Sequence, residues 1–203
     1  MGSHLIDVLG ALGLARASLA GHSMGAAIAG YVAETAPQKV TSVVLVAPVG
    51  YAGVRGMRFF QLITPSFALP IFPLLATRLL VRTMLSVVYG SLRRASAEDV
   101  EEFHAPAQTP GATTALRHLL HRFTWNRSFS GFPVPWMTIV GSEDLLSPAS
   151  DVARYAGKNR DAPSLVIEGA GHVIFDEAPE IVNAALCEFF TEHRGAYISG
   201  QDD

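Results

Sequence analysis

The pentapeptide Gly21-His22-Ser23-Met24-Gly25 is the strongest chemical signal in this sequence. It follows a short apolar stretch typical of a strand and precedes an alanine-rich stretch typical of a helix. Glycines two residues before and two residues after a serine permit the tight turn that lifts its hydroxyl beyond the carboxyl edge of a sheet. The first amides of the following helix then point at the same place, so the backbone N–H of Met24 is predicted to donate to an oxyanion.

A serine hydroxyl becomes an effective nucleophile only when a base removes its proton and an acid fixes the tautomer of that base. Downstream, His172 is the candidate base and Asp144 is the candidate acid. Glu143 and Asp151 are rival acids. The order serine, aspartate, histidine is the one expected when the nucleophile stands on a strand-to-helix turn of an α/β sheet.

Several strands must bring these distant residues together. The run Val43-Val44-Leu45-Val46 is apolar at every position, which is typical of a parallel strand covered by helices on both faces. Asp144 and His172 each follow a predicted strand, so both should lie on loops at the same sheet edge as Ser23. The predicted strands are Arg16 to Ala20, Thr41 to Ala47, Trp136 to Val140 and Ser164 to Ile167, and the predicted helices include Leu5 to Leu14, Ala26 to Thr35, one from about Pro148, and Pro179 to Glu192.

The pattern divides the chain into three regions. Residues 1–50, with the serine turn, and residues 133–203, with the acid and the base, alternate strand and helix and are predicted to form one core. Residues 51–132 lose the strands, gain prolines and read as helical pieces, including Glu98 to His104 and Thr113 to Phe123. We therefore predict an α/β core with a parallel sheet of about four strands, carrying a helical insertion.

Three segments together resemble the α/β-hydrolase superfamily, and within it the group of lid-bearing esterases, haloperoxidase-like enzymes and carbon–carbon hydrolases. They are Leu19-Ala20-Gly21-His22-Ser23-Met24-Gly25, Val140-Gly141-Ser142-Glu143-Asp144 with Pro148 beyond it, and Gly169-Ala170-Gly171-His172 running into Pro179-Glu180. The resemblance implies that Ser23 is the nucleophile, Asp144 the acid and His172 the base, with no metal and no cofactor. It also implies that residues 51–132 are the lid.

The sequence departs from that family ahead of Ser23. Family members carry several strands there, and a loop after one of them, often with His-Gly, supplies a second oxyanion donor. Here only about one helix precedes the first predicted strand, so we expect a truncated core without that donor, whose loss costs roughly 3 kcal/mol of transition-state stabilisation in comparable sites. The strand Arg16 to Ala20 would then be an exposed edge, and we expect the protein to form a homo-oligomer that buries it.

Composition narrows the class of protein further. A chain of 203 residues, 49% hydrophobic, suits one core, and its net charge of -3 gives no cationic surface for nucleic acid. No secretory signal is visible, and the lone cysteine, Cys187, gives no indication of an oxidising compartment. We therefore expect a soluble cytoplasmic protein.

The mean hydropathy of +0.29 is high, which favours apolar surface buried between subunits. The most apolar segment, Ile63 to Leu80, is unsuited to spanning a membrane because it is interrupted by Pro65, Pro70, Pro73 and Arg78.

The expected reaction is hydrolysis of short-to-medium acyl or aryl esters through an acyl-enzyme. Phe59, Phe60 and Trp125 are the candidate substrate-binding residues, although a lid interior or a subunit interface explains the same aromatics equally well. Two alternatives stay open: a carbon–carbon hydrolase that uses the same residues, and a catalytically impaired derivative that serves as an interaction module.

His118 and His121 lack the i, i+4 spacing that two metal ligands on one helix prefer, so they are read as surface or lid-packing residues.

Overall fold

The computed structural model describes residues 1–49, 77–112, 114–115, 118–119, 131–156 and 163–194. Its elements follow the order of an α/β protein, and a short 3₁₀ helix lies at Pro37–Lys39. The strands are β1 (Ala17–His22), β2 (Val40–Val46), β3 (Trp136–Gly141) and β4 (Ser164–Ile167). The helices are α1 (Gly2–Ala11), α2 (Met24–Thr35), α3 (Arg78–Val88), α4 (Ala97–Ala107), α5 (Ala149–Ala156), α6 (Ile174–Glu177) and α7 (Pro179–Glu192).

The four strands form one parallel sheet in the order β1-β2-β3-β4, which confirms the predicted fold class. Every residue of β2 is buried, as its unbroken apolar run predicted. Alternate side chains of β2 enter two separate cores: Val43 and Leu45 pack with α2 and α5, whereas Val44 and Val46 pack with α6 and α7. Helices therefore cover both faces of the sheet, and the carboxyl ends of its strands share one edge.

Most predicted boundaries lie within two residues of the observed ones. The strand Ser164–Ile167 and the helix Pro179–Glu192 have the predicted limits. Helix α2 begins at Met24 rather than at Ala26, because the backbone turns sharply at Ser23 and the helix starts at once. Helix α1 ends at Ala11 rather than at Leu14, and Gly13 follows with a positive φ of 67°.

Two helices of the region predicted to be a lid are described. Helix α3 is capped at its N-terminus by Thr77, whose hydroxyl accepts a hydrogen bond from the backbone N–H of Leu80. Helix α4 contains the predicted piece Glu98 to His104 and begins with a reciprocal Ser96–Asp99 capping box. The two helices pack through a small core of Leu85, Tyr89 and Val100. The division at residues 51 and 132 stays a prediction, and so does most of the piece Thr113 to Phe123, which lies largely outside the described residues.

Strand β1 lies at one edge of the sheet and, over the described ranges, pairs with β2 alone. None of the helices in those ranges combines the length and the apolar character needed to cross a bilayer.

Candidate active site

Ser23 stands at a strained turn between β1 and α2. Its φ of 53° and ψ of -115° are rare for a residue with a side chain, and its backbone N–H donates to the carbonyl of Val46 at 2.9 Å. A Cβ added to Gly21 would lie 2.3 Å from the carbonyl oxygen of Gly25, so only glycine fits at position 21. The matching expectation for Gly25 is wrong, because a Cβ there meets no described atom within 4 Å apart from its chain neighbours and the backbone of α2 itself.

His172 lies on the loop between β4 and α6 and connects Ser23 to Asp144. Its Nε2 is 2.9 Å from Ser23 Oγ, and its Nδ1 is 2.8 Å from Asp144 Oδ2. A carboxylate only accepts hydrogen bonds, so Nδ1 carries the proton and Nε2 is left to accept the hydroxyl proton of Ser23. Both Asp144 and the histidine are buried, at 3% and 7% exposure. The structure therefore brings the three predicted side chains into one continuous hydrogen-bond chain.

Asp144 is held by its own loop. Its Oδ1 accepts the backbone N–H groups of Leu146 and Ser147, both at 2.8 Å. The hydroxyl of Ser147 in turn donates to the carbonyl of Pro48 at 2.5 Å, which ties this loop to the end of β2. With Oδ1 occupied, Oδ2 is the oxygen that faces His172.

The rival acids lie elsewhere. Glu143 is exposed, and its carboxylate accepts the hydroxyl of Ser91 at 2.6 Å and the backbone N–H of Ser91 at 2.7 Å. These two bonds lower the pKa of Glu143. Asp151 lies in the first turn of α5. The hydrogen bond to His172 therefore belongs to Asp144.

His22 supports the site without reaching Ser23. Its Nε2 lies 2.7 Å from the carbonyl oxygen of His172, to which it donates, and the two imidazole rings are 5.0 Å apart. Burial lowers the pKa of His22, so the ring is held neutral beside the base.

Met24, the predicted oxyanion donor, is the first residue of α2, and the first amides of a helix have no acceptor within the helix. The candidate substrate residues Phe59, Phe60 and Trp125 lie outside the described residues. Over the described part of the chain, no group of three His, Cys, Asp or Glu side chains is placed to hold a metal ion.

The profile of the alpha/beta hydrolase family matches residues 3–185. The chain belongs to this family. At 29% identity over 196 residues it is similar to the dihydrolipoyllysine-residue acetyltransferase component of an acetoin cleaving system from Pseudomonas putida. That match covers 93% of this chain and 49% of the relative, so the chain spans about half the length of the curated relative it matches.

Solved structures of other proteins share the fold of this alpha/beta hydrolase. A meta-cleavage product hydrolase from Pseudomonas fluorescens superimposes with a TM-score of 0.76 at 20% identity, over 94% of this chain and 70% of that one. A putative non-heme bromoperoxidase from Mycobacterium tuberculosis does so with a TM-score of 0.70 at 25% identity, over 95% of this chain and 73% of that one. A bacterial membrane phospholipase A matches at 0.73 and 18% identity, over 95% of this chain and 62% of that one.

Sequence reasoning provided no expectation for one feature of the candidate site: the segment 88–92, which starts at the last residue of α3, holds the loops of the candidate acid and base. The backbone N–H of His172 donates to the carbonyl of Val88 at 2.7 Å, and that of Leu92 donates to the carbonyl of Gly169 at 2.8 Å. Glu177 joins the same segment to the base loop. The sequence contained one signal for this contact: the acidic pair Asp176-Glu177 directly follows the apolar run Val173-Ile174-Phe175. A carboxylate next to such a run can be buried, and a buried carboxylate needs specific hydrogen-bond partners.

Proposed function

We propose that this member of the alpha/beta hydrolase family is a serine esterase that cleaves short-to-medium acyl or aryl carboxylic esters through an acyl-enzyme. One observation carries the proposal: the hydrogen-bond chain from Ser23 Oγ to His172 Nε2 at 2.9 Å and from His172 Nδ1 to Asp144 Oδ2 at 2.8 Å. These are the distances at which a proton can pass from a hydroxyl to an imidazole. No further group is needed for acyl transfer beyond oxyanion donors and water.

In the acylation step, Ser23 Oγ attacks the ester carbonyl carbon while His172 Nε2 takes the hydroxyl proton. The carbonyl oxygen becomes an oxyanion, and the backbone N–H of Met24 donates to it. The tetrahedral intermediate then collapses, the bond to the leaving alkoxide breaks, and His172 returns the proton to that oxygen. An alcohol leaves and an ester of Ser23 remains.

In the deacylation step, His172 takes a proton from water, and the resulting hydroxide attacks the acyl carbonyl. Collapse releases the carboxylic acid and returns the proton to Ser23. Throughout, Asp144 stabilises the imidazolium that forms at His172, and its two loop amides keep it aimed at Nδ1. The neutral state of His22 also helps, because a second cation 5.0 Å away would oppose that charge.

Labelling with a fluorophosphonate probe tests the proposal. We expect the probe to modify the wild-type protein at Ser23, as read by peptide mass spectrometry, and to leave Ser23→Ala unlabelled. Ser86→Ala is the matched control, since Ser86 is an exposed serine on α3 and should leave labelling unchanged. Equal labelling of wild type and Ser23→Ala, or no labelling of either, contradicts the assignment.

The substrate class is tested with a chain-length series of nitrophenyl esters. We expect kcat/KM to be highest for short and medium acyl chains, because the predicted pocket residues Phe59, Phe60 and Trp125 are apolar. Labelled protein that cleaves none of these esters favours the carbon–carbon hydrolase alternative. Protein that is neither labelled nor active favours the catalytically impaired interaction module.

A further inference from the structure

Glu177 is a buried carboxylate that the proposed reaction does not use. It is 6% exposed, at the end of helix α6. Both of its oxygens accept the backbone N–H of Gly171, at 2.9 and 3.0 Å, and Oε2 also accepts the backbone N–H of Gly90 at 2.7 Å. A buried carboxylate is costly unless hydrogen bonds compensate it, so these bonds define where the base loop and the segment 88–92 meet.

The same meeting point fixes the backbone of the base. Gly171 directly precedes His172, and the backbone N–H of His172 donates to the carbonyl of Val88 at 2.7 Å. A Cβ on Gly171 would lie 2.4 Å from the Val88 carbonyl oxygen and 2.5 Å from the Gly90 nitrogen. The two backbones are therefore in direct contact, and the base loop cannot shift toward the segment 88–92.

The side chain of His172 has little independent freedom once its backbone is placed. Its ring must reach Asp144 with one nitrogen and Ser23 with the other, at 2.8 and 2.9 Å. Displacing reacting groups by about 1 Å lowers enzymatic rates roughly 100-fold. The rate of proton transfer should thus depend on what holds residues 171 and 172.

We propose that Glu177 is a positioning residue for His172: by bridging the backbone amides of Gly171 and Gly90, it makes the geometry of the base depend on the docked segment 88–92. This inference rests on the proposed function, in which His172 is the base. It adds that Glu177, which has no role in the proposed chemical steps, affects the reaction rate through the position of His172.

The substitution Glu177→Gln isolates this effect because it keeps the shape of the side chain. The wild-type carboxylate faces amide donors with both oxygens, whereas glutamine has one oxygen and one NH₂ group. If the amide oxygen takes the Oε2 position, the NH₂ group faces the N–H of Gly171, donor against donor. The base loop must then move or lose a bond. Glu180→Gln, three residues further along the chain and exposed, is the matched control.

The experiment compares three proteins: wild type, Glu177→Gln and Glu180→Gln, each below its own melting temperature. The rate constant of fluorophosphonate labelling is expected to fall about tenfold or more in Glu177→Gln and to stay within about twofold in Glu180→Gln. With a nitrophenyl ester, kcat should fall while KM changes little, because Glu177 is buried and its carboxylate is bound to backbone amides. Because kcat and the labelling rate constant are both calculated per labelled site, a mere loss of folded protein would lower the labelled fraction and leave both values unchanged.

A second readout does not require any activity. The Nδ1 proton that His172 shares with Asp144 should give a far-downfield proton NMR signal, assigned by its absence in His172→Gln. In Glu177→Gln we expect that signal to shift or broaden, and in Glu180→Gln to remain. If wild type fails to react with the probe, the proposed function fails, while this proton signal still decides whether Glu177 positions the ring.

The inference is overturned if folded Glu177→Gln labels within about twofold of Glu180→Gln and keeps the downfield signal unchanged. Should Glu177→Gln fail to fold, Glu177→Asp takes its place under the same criteria. Aspartate keeps the negative charge but is one methylene shorter, so it cannot reach both amides without moving the base loop.

Discussion

At the scale of single residues, the position of Asp144 decides what the imidazole can do. Its Oδ1 is committed to two backbone donors, from Leu146 and Ser147, which leaves Oδ2 to fix the proton of His172 on Nδ1. These two loop amides therefore determine which nitrogen of His172 carries the proton. A residue that matches the shape of Asp144 but not its charge should move that proton to the other nitrogen.

Asp144→Asn is predicted to lower kcat by about 10³–10⁴-fold with little change in KM. The loop amides require an acceptor at the Oδ1 position, so the asparagine oxygen stays there and its NH₂ group faces His172. The imidazole then carries its proton on Nε2, pointing at Ser23, and cannot act as a base. The measurement is steady-state hydrolysis of a nitrophenyl ester.

Glu180→Gln is the control for that prediction, because it neutralises an exposed carboxylate of α7 in the same way. Its kcat should stay within about threefold of wild type. An Asp144→Asn protein that keeps a tenth or more of the wild-type kcat would show that this hydrogen bond does not set the tautomer.

His22 makes the stability of the protein depend on pH. Its pKa is lowered mainly by burial and also by the charge of His172, against the hydrogen bond to the His172 carbonyl and the charges of Asp144 and Asp176. As pH falls below the ordinary value of 6.5, the unfolded chain binds a proton that folded His22 does not yet bind. The free energy of unfolding therefore decreases with falling pH until the lowered pKa of the folded state is reached.

His22→Gln should remove this contribution, since the glutamine NH₂ group can still donate to the same carbonyl but does not titrate. We expect a smaller decrease of the urea midpoint between about pH 8 and about pH 5 than in wild type. His4→Gln, at an exposed position of α1, should retain the wild-type pH dependence. Parallel curves for wild type and His22→Gln would contradict the prediction.

At the scale of elements, the turn between β1 and α2 requires glycine at only one of the two positions at which the motif has it. A Cβ on Gly21 would collide with the backbone of Gly25 at 2.3 Å, and the obstacle is a carbonyl within the first turn of α2. A Cβ on Gly25 meets nothing described within 4 Å apart from its chain neighbours and the backbone of α2 itself. The strand end, not the helix, is where the turn requires glycine.

Gly21→Ala is predicted to lower the free energy of unfolding by about 1–3 kcal/mol or more, because backbone atoms cannot give way as a flexible side chain would. Gly25→Ala is the matched control and should be neutral or raise stability by up to about 1 kcal/mol, since alanine favours helix. Urea denaturation of both variants measures the difference. Equal losses at the two positions would contradict the steric account.

The elements that sequence reasoning located well are those with a strong local pattern. β2 contains the unbroken apolar run Val43 to Val46 and is buried throughout, and Pro179 marks the first turn of the last helix. The acid and base loops were found because each follows a predicted strand. The start of α2 was placed two residues late, because periodicity does not register a helix that begins directly at a strained serine.

The contacts of the segment 88–92 show what a local pattern does not contain. Ser91 binds Glu143 across 52 positions of the chain, and Gly90 binds Glu177 across 87. These bonds join backbone amides to side chains that are distant in sequence, so neither periodicity nor composition marks them. The candidate catalytic residues were predictable as a set of residue types in order, whereas the residues that hold them in place were visible only in three dimensions.

At the scale of the whole molecule, the exposed edge of the sheet is the feature with the widest consequence. β1 pairs with β2 on one side only, within the part of the chain that the structure describes. Near it, Leu12 and Leu14 are exposed, at 66% and 44%. Unpaired backbone groups beside exposed leucines are typical of a surface that associates with another chain.

We therefore predict that the protein self-associates through this edge at micromolar concentration. Light scattering should give about twice the chain mass of 21.7 kDa or more. Ala20→Lys places a charge on an exposed position of β1 and should shift the mass toward that of one chain, because a charge on an edge strand opposes pairing. Ser86→Lys adds the same charge on an exposed face of α3 and should leave the mass unchanged. A wild-type mass of one chain contradicts self-association, and equal effects of both lysines would show that net charge, rather than the β1 edge, governs the assembly.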